Sequence, residues 1–213
     1  MKTVMISMQY GLVARNVLRT EILSRLREAG CRVVVVCPAA REPYFQQEFG
    51  GDGVVLEPFP RIKSSLEDRV FAKVTNTLLF SHPGMTKTIT IKWLNSLGER
   101  AYGSFIAKGL VSPFLLRKSR TLRHAAESVD SRHFAHPAVL ALLDAYRPDV
   151  VVTTNLFGQE HHFHRVARRM GIRSVCLVKS WDNLTSKTRI RVHPDHIVVW
   201  SDLQKQEAVD LHF

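Results

Sequence analysis

The sequence predicts an α/β protein with a doubly wound parallel sheet, and three observations support that prediction. Short β-branched runs alternate with segments whose apolar residues recur at helical spacing. Residues 33–36 (VVVV) are apolar on both alternating faces, as strands covered by helices on both sides are. Gly30 stands where a helix ends, and Pro38 stops the strand that follows it. This order of elements favours parallel strands joined by helical crossovers.

The predicted elements alternate along the chain. The strands are predicted over residues 3–8, 32–37, 54–57, 149–154, 173–178 and 196–200. Helical spacing predicts helices over residues 18–29, 41–49, 137–146 and 163–170. A last helix is expected to begin at Ser201, because Ser201 and Gln204 have the spacing of a capping box.

The middle of the chain departs from this alternation. Residues 66–127 contain helix-like segments and no convincing strand, with breaks at 82–84 (HPG) and 112–113 (SP). We interpret residues 61–132 as a helical insertion in a single domain that spans residues 1–213. Long crossover helices packed on the sheet are the alternative.

Composition places the chain among ordinary globular proteins, since 45% of its 213 residues are hydrophobic and 23% are charged. Its three cysteines have no paired spacing, which favours a reducing compartment. The first residues are too short an apolar run for a signal peptide, and no later run reaches the roughly 18 residues of a membrane span. We therefore expect a cytoplasmic protein whose contact with a membrane, if it has one, is peripheral.

The charge is strongly basic. Thirty Lys and Arg stand against nineteen Asp and Glu, a formal net charge of +11. Between Arg61 and Arg132 the basic residues outnumber the acidic ones by thirteen to five, and we predict that they lie on one side near the mouth of a cleft. Such a surface favours phosphates, anionic lipid or nucleic acid as partners. Nucleic acid is disfavoured among these, because no RNA-binding motif or helix-turn-helix spacing is present.

Ligands of open parallel sheets bind at the loops that leave the carboxyl ends of the strands. The first such loop contains Gln9, Tyr10 and Gly11, and it has neither a dinucleotide fingerprint nor a P-loop. Gly11 would allow a ligand to approach the backbone closely, or it would serve a tight turn.

The loop after the strand 149–154 offers Asn155 and Glu160. Asn155 would bond a sugar hydroxyl or cap the next helix, and the cap is the interpretation we favour. Glu160 is a candidate general base if it faces the cleft, and otherwise a carboxylate that complements a helix dipole.

Residues 179–187 (KSWDNLTSK) are the most informative segment. They combine an aromatic ring, a carboxylate, an amide, three hydroxyl residues and two lysines. That set suits a polyhydroxylated substrate, because rings stack on the apolar faces of sugars while Asp and Asn bond hydroxyl groups. The alternative is an Asx turn with Trp181 filling the core.

Metal and nucleophilic chemistry find little support. His161 and His164 are three residues apart on a predicted helix, but no further residue completes a ligand set, so no metal and no cofactor are predicted. Cys31, Cys37 and Cys176 fall in predicted buried strands and are expected to behave as small hydrophobic side chains.

Residues 180–187 (SWDNLTSK) and 194–204 (PDHIVVWSDLQ), with the opening strand-helix-strand unit, resemble the N-terminal half of bacterial GT-B-type glycosyltransferases. More narrowly, they resemble surface-carbohydrate glycosyltransferases with a Ser-Trp-Asp-Asn-Leu-Thr loop, distantly akin to the glycerophosphotransferases that build teichoic acids. The resemblance covers residues 1–57 and 137–213. Thr188 stands where the pattern has glycine.

The resemblance implies a Rossmann-like, metal-independent acceptor domain, with the nucleotide-sugar donor held by a C-terminal domain that this chain lacks. It implies transfer of a sugar to a carbohydrate or lipid-linked acceptor in cell-surface polysaccharide or glycolipid biosynthesis, and no transfer by these 213 residues alone. Asp182 is the predicted base and Glu160 the second candidate. The predicted substrate contacts are Gln9, Tyr10, Gly11, Asn155, Ser180, Trp181, Asn183, Thr185 and Lys187.

Two other functions remain open. A nucleotide-sugar epimerase has the same architecture, although it needs no separate basic surface for an acceptor. A non-enzymatic module that binds anionic surfaces or nucleic acid would use the charge alone, and RNA binding at rising salt concentration would reveal it.

Overall fold

The structure, a computed structural model, describes residues 1–79 and 119–212. Its centre is a six-stranded sheet in the order β3-β2-β1-β4-β5-β6, and all five pairs of neighbouring strands are parallel. The strands are β1 (Thr3–Ser7), β2 (Arg32–Cys37), β3 (Val54–Pro58), β4 (Val150–Thr153), β5 (Arg173–Leu177) and β6 (His196–Val198). This is the Rossmann-like, doubly wound order, so the predicted fold class is confirmed and each predicted strand is present.

Helices connect these strands, and two of them, at residues 11–17 and 183–186, were not predicted. The helices are α1 (Gly11–Val17), α2 (Glu21–Glu28), α3 (Pro43–Phe49), α4 (Leu66–Leu79), α5 (Arg120–His133), α6 (Pro137–Tyr146), α7 (His161–Met170), α8 (Asn183–Ser186) and α9 (Asp202–His212). None of the described helices is both long enough and apolar enough to cross a bilayer.

Helices pack on both faces of the sheet. Alternate strand residues belong to two apolar clusters, as the period of a strand requires. On β1, Val4 and Ile6 belong to the cluster completed by α1, α2 and α3, while Met5 belongs to the cluster completed by α6 and α7. The sheet is therefore buried on both sides, which explains why residues 33–36 are apolar without interruption.

The helix predicted over residues 18–29 is wrong at its start. Leu18 ends α1, and α2 begins only after Thr20. Thr20 has an extended backbone, and its hydroxyl accepts a hydrogen bond from the Ile22 amide at 3.4 Å, so it is the N-cap of a new helix. Helical spacing alone did not reveal this break.

The contacts divide the chain into two compact units. The first unit contains the sheet and its covering helices. The second contains α4, most of α5, the segment with α8, and α9. The first unit comprises Met1–Lys63, Asp130–Lys179 and Val192–Val198, and the second comprises Ser64–Val129, Ser180–Arg191 and Val199–Phe213. The single domain over residues 1–213 stays a prediction.

The predicted helical insertion is described only at its two ends. Residues 61–79 and 119–132 contribute helix and irregular chain, and no strand occurs in either stretch. Residues 80–118 lie outside the described part of the chain. Six of the thirteen basic residues between Arg61 and Arg132 lie outside it as well, and their predicted position on one side near a cleft stays a prediction.

Candidate functional site

Strands β1 and β4 are neighbours in the centre of the sheet, and the strand order reverses between them. In open α/β sheets ligands bind in the crevice at the carboxyl ends of the strands, at this reversal. The loops that follow β1 and β4 contain Gln9, Tyr10, Asn155 and Glu160, which the sequence named as candidates. All four belong to the first unit.

Glu160 ties these two loops together. Its carboxylate Oε1 accepts a hydrogen bond from the Gln9 backbone N–H at 2.9 Å, and Oε2 accepts one from the Thr154 backbone N–H at 2.7 Å. The Thr154 hydroxyl donates to the same carboxylate, at 3.1 Å to Oε2. The side chain is fully buried. These contacts make Glu160 a positioning residue that fixes the loops, while the catalytic role named from the sequence stays a prediction.

Burial raises the pKa of the Glu160 carboxyl to about 7, because the charged form loses its hydration. The amides of Thr154 and Gln9 oppose this rise in pKa, as does the charge of Lys179. The Lys179 ammonium lies 3.9 Å from the centroid of the Tyr10 ring, a cation–π contact at the same edge of the sheet.

We expect this raised pKa to affect stability between pH 4.5 and 7. A carboxyl group with a higher pKa in the folded state binds more protons when folded, so its contribution to the unfolding free energy is present below pH 4.5 and is lost as the pH rises to 7. The loss is on the order of 3 kcal/mol. Urea unfolding of the wild type and of Glu160→Gln, at several pH values, measures it.

The difference in unfolding free energy between the wild type and Glu160→Gln, taken at each pH, separates the contribution of Glu160 from that of His164. Burial lowers the pKa of His164 to about 3. The contribution of His164 therefore makes the unfolding free energy rise with pH, and it does so equally in the wild type and in Glu160→Gln. Glu160→Gln should lack the loss of stability toward pH 7. The exposed Glu28→Gln should keep it. An identical pH profile for Glu160→Gln and the wild type would show that Glu160 does not titrate in this range.

Gln9 and Gly158 complete the junction between the loops. The Gln9 Oε1 accepts a hydrogen bond from the Gln159 backbone N–H at 3.2 Å. Gly158 has a φ of +71°, and a Cβ at this position would lie 3.0 Å from Gln9 Oε1. Both the backbone conformation and the close approach therefore favour glycine. Gly158 was not identified from the sequence, because a lone glycine in a loop has no distinguishing pattern.

Gly11 needs no such explanation. It begins α1 with φ outside the left-handed region, and no atom lies within 4 Å of a Cβ built there. The Val13 backbone N–H donates to the Tyr10 carbonyl at 3.0 Å across Gly11, so a tight turn is present, although its backbone would accept a side chain. Close approach of a ligand stays a prediction.

Asn155 does not cap the following helix. Its Oδ1 accepts a hydrogen bond from the Phe157 backbone N–H at 3.1 Å, two residues along the chain, which is an Asx turn. Helical structure begins later, with a single turn over Gly158–Glu160. The favoured cap interpretation is wrong, because the short side chain bonds the nearest amide before the helix begins. Asn155 is buried, and its contact with a sugar stays a prediction.

A pocket of about 470 Å³ opens at the same edge of the first unit. Four loops line it: those after β1 and β2 contribute Gln9 and Pro38, that after β3 contributes residues 59–63, and that after β4 contributes Gln159. Its volume is typical of small-molecule sites, which occupy roughly 300–1,000 Å³. Apart from Gln9, the sequence analysis named no pocket residue as a contact.

In the second unit, residues 180–186 form a turn around the Asp182 carboxylate. Oδ1 accepts a hydrogen bond from the Ser180 hydroxyl at 2.6 Å, and Oδ2 accepts one from the Ser186 hydroxyl at 3.0 Å. The hydrogen bond from Ser180 lowers the pKa of Asp182 most, and the Ser186 hydroxyl and the Lys187 charge lower it further. Asp182 is therefore ionised at neutral pH and remains partly exposed.

Trp181 is 78% exposed, so the interpretation in which it fills the core is wrong. Its backbone is held by Gln204, whose amide Nε2 donates to the carbonyls of Ser180 and Trp181 at 3.1 and 3.2 Å. The Gln204 Oε1 accepts a hydrogen bond from the Trp200 amide at 2.9 Å. Gln204 is itself buried, which makes this anchor rigid.

The predicted cap of α9 is confirmed in part. The Ser201 hydroxyl accepts a hydrogen bond from the Gln204 backbone N–H at 3.2 Å, as in a capping box. The Gln204 side chain, however, bonds the residue before Ser201 and the carbonyls of the 180–181 segment.

The predicted contacts in this loop differ in accessibility. Trp181 is exposed, and Ser180, Thr185 and Lys187 are partly exposed. Asn183 is buried at 3% exposure, so its side chain is not on the surface. The structure thus brings together Gln9, Tyr10, Gly11, Asn155 and Glu160 within the first unit, and the residues between Ser180 and Lys187 within the second.

The two histidines considered as metal ligands contact neighbouring residues, and two of the three cysteines are buried. His164 Nε2 lies 2.8 Å from the Thr153 hydroxyl inside the first unit, and His161 Nδ1 contacts the Gly158 carbonyl. Cys37 and Cys176 are buried, and burial raises the pKa of both thiols, that of Cys37 to about 11. These two thiols are therefore protonated and unreactive, as the sequence predicts. Cys31 precedes β2 and is only partly buried, so its predicted place in a buried strand is wrong.

No family model and no curated protein sequence matches the chain. Among solved structures, the chain is similar to SsfS6, a glycosyltransferase of Streptomyces sp. SF2575, with 14% sequence identity and a TM-score of 0.36. The alignment covers 99% of this chain and 44% of that one, so the chain spans less than half the length of that glycosyltransferase. The similarity is a distant one of fold.

Proposed function

We propose that the chain is the acceptor-binding half of a glycosyltransferase of cell-surface polysaccharide or glycolipid biosynthesis. The observation that supports this most strongly is the exposed indole of Trp181 on a turn that Asp182 and Gln204 hold rigid. Together with the resemblance of residues 180–187 to a glycosyltransferase loop, it favours a sugar as the ligand.

An exposed tryptophan on a fixed turn suits a carbohydrate for two reasons. The indole offers a large apolar face, on which the C–H face of a sugar ring stacks, and a polar N–H at its edge. The turn is already ordered by its own hydrogen bonds, so binding would cost little further conformational entropy. The neighbouring hydroxyl groups and carboxylate would bond the hydroxyls of the sugar.

In the proposed reaction an acceptor hydroxyl attacks the anomeric carbon of the donor sugar. The new C–O bond forms while the bond to the nucleoside diphosphate breaks, and the diphosphate leaves with that electron pair. Asp182 takes the proton of the acceptor hydroxyl. A carboxylate with a lowered pKa is a weak base, so we expect the proton to move late, when bond formation has made the hydroxyl acidic.

The proposal also includes a site for the donor and a contact with the membrane. We propose that a second domain outside these 213 residues holds the nucleotide-sugar donor, as in the two-domain enzymes that the sequence resembles. We also propose a cytoplasmic location, with basic residues between Arg61 and Arg132 in peripheral contact with an anionic membrane.

Transfer of a radiolabelled sugar tests this function. The complete polypeptide, meaning this chain together with the proposed donor-binding domain, should move label from a nucleotide sugar into a carbohydrate or lipid acceptor fraction, and the 213-residue chain alone should not. Transfer by the 213-residue chain would contradict the proposed division between acceptor and donor domains. Conversion of the nucleotide sugar into its epimer without any acceptor would instead support the epimerase.

A further inference from the structure

We propose that the pocket at the carboxyl edge of the first unit binds the phosphate group of a small phosphorylated organic molecule through Arg61 and Lys63. The identification of that molecule with the phosphate-bearing acceptor rests on the proposed function. The binding of a phosphate group does not rest on the proposed function, because it is inferred from the residues of the pocket alone.

The segment after β3 turns two cations toward the same pocket. Ile62 is buried in the apolar cluster that covers one face of the sheet, whereas its neighbours Arg61 and Lys63 are exposed and line the pocket. The Ile62 carbonyl accepts a hydrogen bond from Gln159 Nε2 at 3.4 Å. The buried side chain and this hydrogen bond fix the backbone between the two cations.

The charge of the pocket matches a phosphate better than a carboxylate. Among the described residues that line it, two are cationic and none is acidic. A phosphate monoester carries about −1.5 to −2 charges at neutral pH, whereas a carboxylate carries one. Two cations separated by one residue can therefore both pair with the same phosphate group.

The remaining lining supplies donors and an apolar wall. Gln9 Oε1 is occupied by the Gln159 amide, which fixes the orientation of the Gln9 amide and leaves its NH₂ group to donate. Phe59, Pro38 and Pro60 form an apolar surface for the organic part of the ligand. The volume of about 470 Å³ accommodates a phosphorylated sugar.

Titration of the 213-residue chain with glucose 1-phosphate, followed by calorimetry at fixed low salt, tests the proposal. Arg61→Gln with Lys63→Gln should weaken binding by at least about tenfold. The matched control is Arg27→Gln with Arg173→Gln, two exposed arginines of the first unit outside the pocket lining, which lowers the net charge equally. The control should change affinity by less than about twofold. Because all four side chains are exposed, the variants should fold, and Arg61→Lys with Lys63→Arg should retain binding.

Two further ligands separate the possible sources of phosphate. Inorganic phosphate tests binding of the anion alone, and vesicles of phosphatidylglycerol test binding of a lipid headgroup. Binding of any of the three that is lost in the pocket variant and kept in the control supports the proposal and identifies the source. Equal weakening of binding in both double variants would show that the effect comes from overall charge alone, and it would overturn the proposal. Absence of binding to all three would overturn it too, whatever the outcome of sugar transfer.

Discussion

Asp182→Asn in the complete polypeptide should lower the rate of sugar transfer by about 10²–10⁴-fold, the usual effect of losing a general base. The shape of the turn should survive, because the Ser180 hydroxyl still finds an oxygen and the Ser186 hydroxyl can rotate to accept from the new NH₂ group. The unfolding free energy should therefore change by less than about 1 kcal/mol. Transfer rates and urea unfolding of the same preparations measure both effects.

The control for this variant is Asp144→Asn, an exposed carboxylate on α6. It removes the same charge and should leave the transfer rate unchanged. If Asp182→Asn retains the wild-type rate, Asp182 only organises the turn. If it loses rate and stability together, the turn has collapsed, and the role of base is likewise not supported.

Asp130→Ala should destabilise the protein by about 3–5 kcal/mol, the usual cost of removing one member of a buried ion pair. Arg165 Nε lies 2.5 Å from Asp130 Oδ1, and both side chains are fully buried. The guanidinium also donates to the Phe134 carbonyl at 3.2 Å and lies 3.0 Å from His162 Nδ1. Denaturant unfolding measures the loss.

An exposed ion pair provides the comparison. Glu21→Ala removes the partner of Arg25 on α2, where both side chains are more than 70% exposed. It should cost no more than about 0.5 kcal/mol, because solvent screens the pair. Adding Arg165→Met to Asp130→Ala should recover part of the loss, since no buried guanidinium then remains beside the position of the missing carboxylate. Equal costs for Asp130→Ala and Glu21→Ala would contradict the importance of the buried pair.

The sheet could be predicted because its signals are local. Buried parallel strands are short β-branched runs, and each run ends at a residue type that stops a strand. Short crossover connections make β1 and β2, or β4 and β5, neighbours, whereas the pairing of β1 with β4 joins strands that are not consecutive and was not predicted. The break at Thr20 escaped prediction, since apolar spacing continues through it and only the capping hydrogen bond reveals the new helix.

The candidate site could be predicted only in part. The loops at the carboxyl ends of the strands follow from the fold class, and they contain Gln9 and Glu160. The bond between these two joins residues 151 positions apart, and no local pattern encodes it. For the same reason the sequence did not reveal Arg61 and Lys63 as pocket residues, since they line one pocket with Gln9 only after the sheet has formed.

The environment of Trp181 shows the same limit. Its sequence allowed both a buried and an exposed ring, because aromatic residues in loops occur in both. The ring is exposed, and Gln204, which the spacing identified as a capping residue, bonds the Trp181 carbonyl from 23 positions away, a contact that no local pattern predicts. Asn155 was ambiguous for a different reason, since the same side chain serves either a cap or an Asx turn.

The most direct test of the proposed sugar-binding loop is the indole N–H spectrum of the 213-residue chain. The chain has three tryptophans, and the cross-peak missing from Trp181→Phe identifies Trp181. Methyl glycosides of common hexoses and N-acetylhexosamines are added up to about 50 mM, well above millimolar dissociation constants. We predict that the Trp181 peak shifts saturably with at least one glycoside. A Trp181 peak that moves with none of them, in a folded protein, would contradict the assignment of this loop to a carbohydrate.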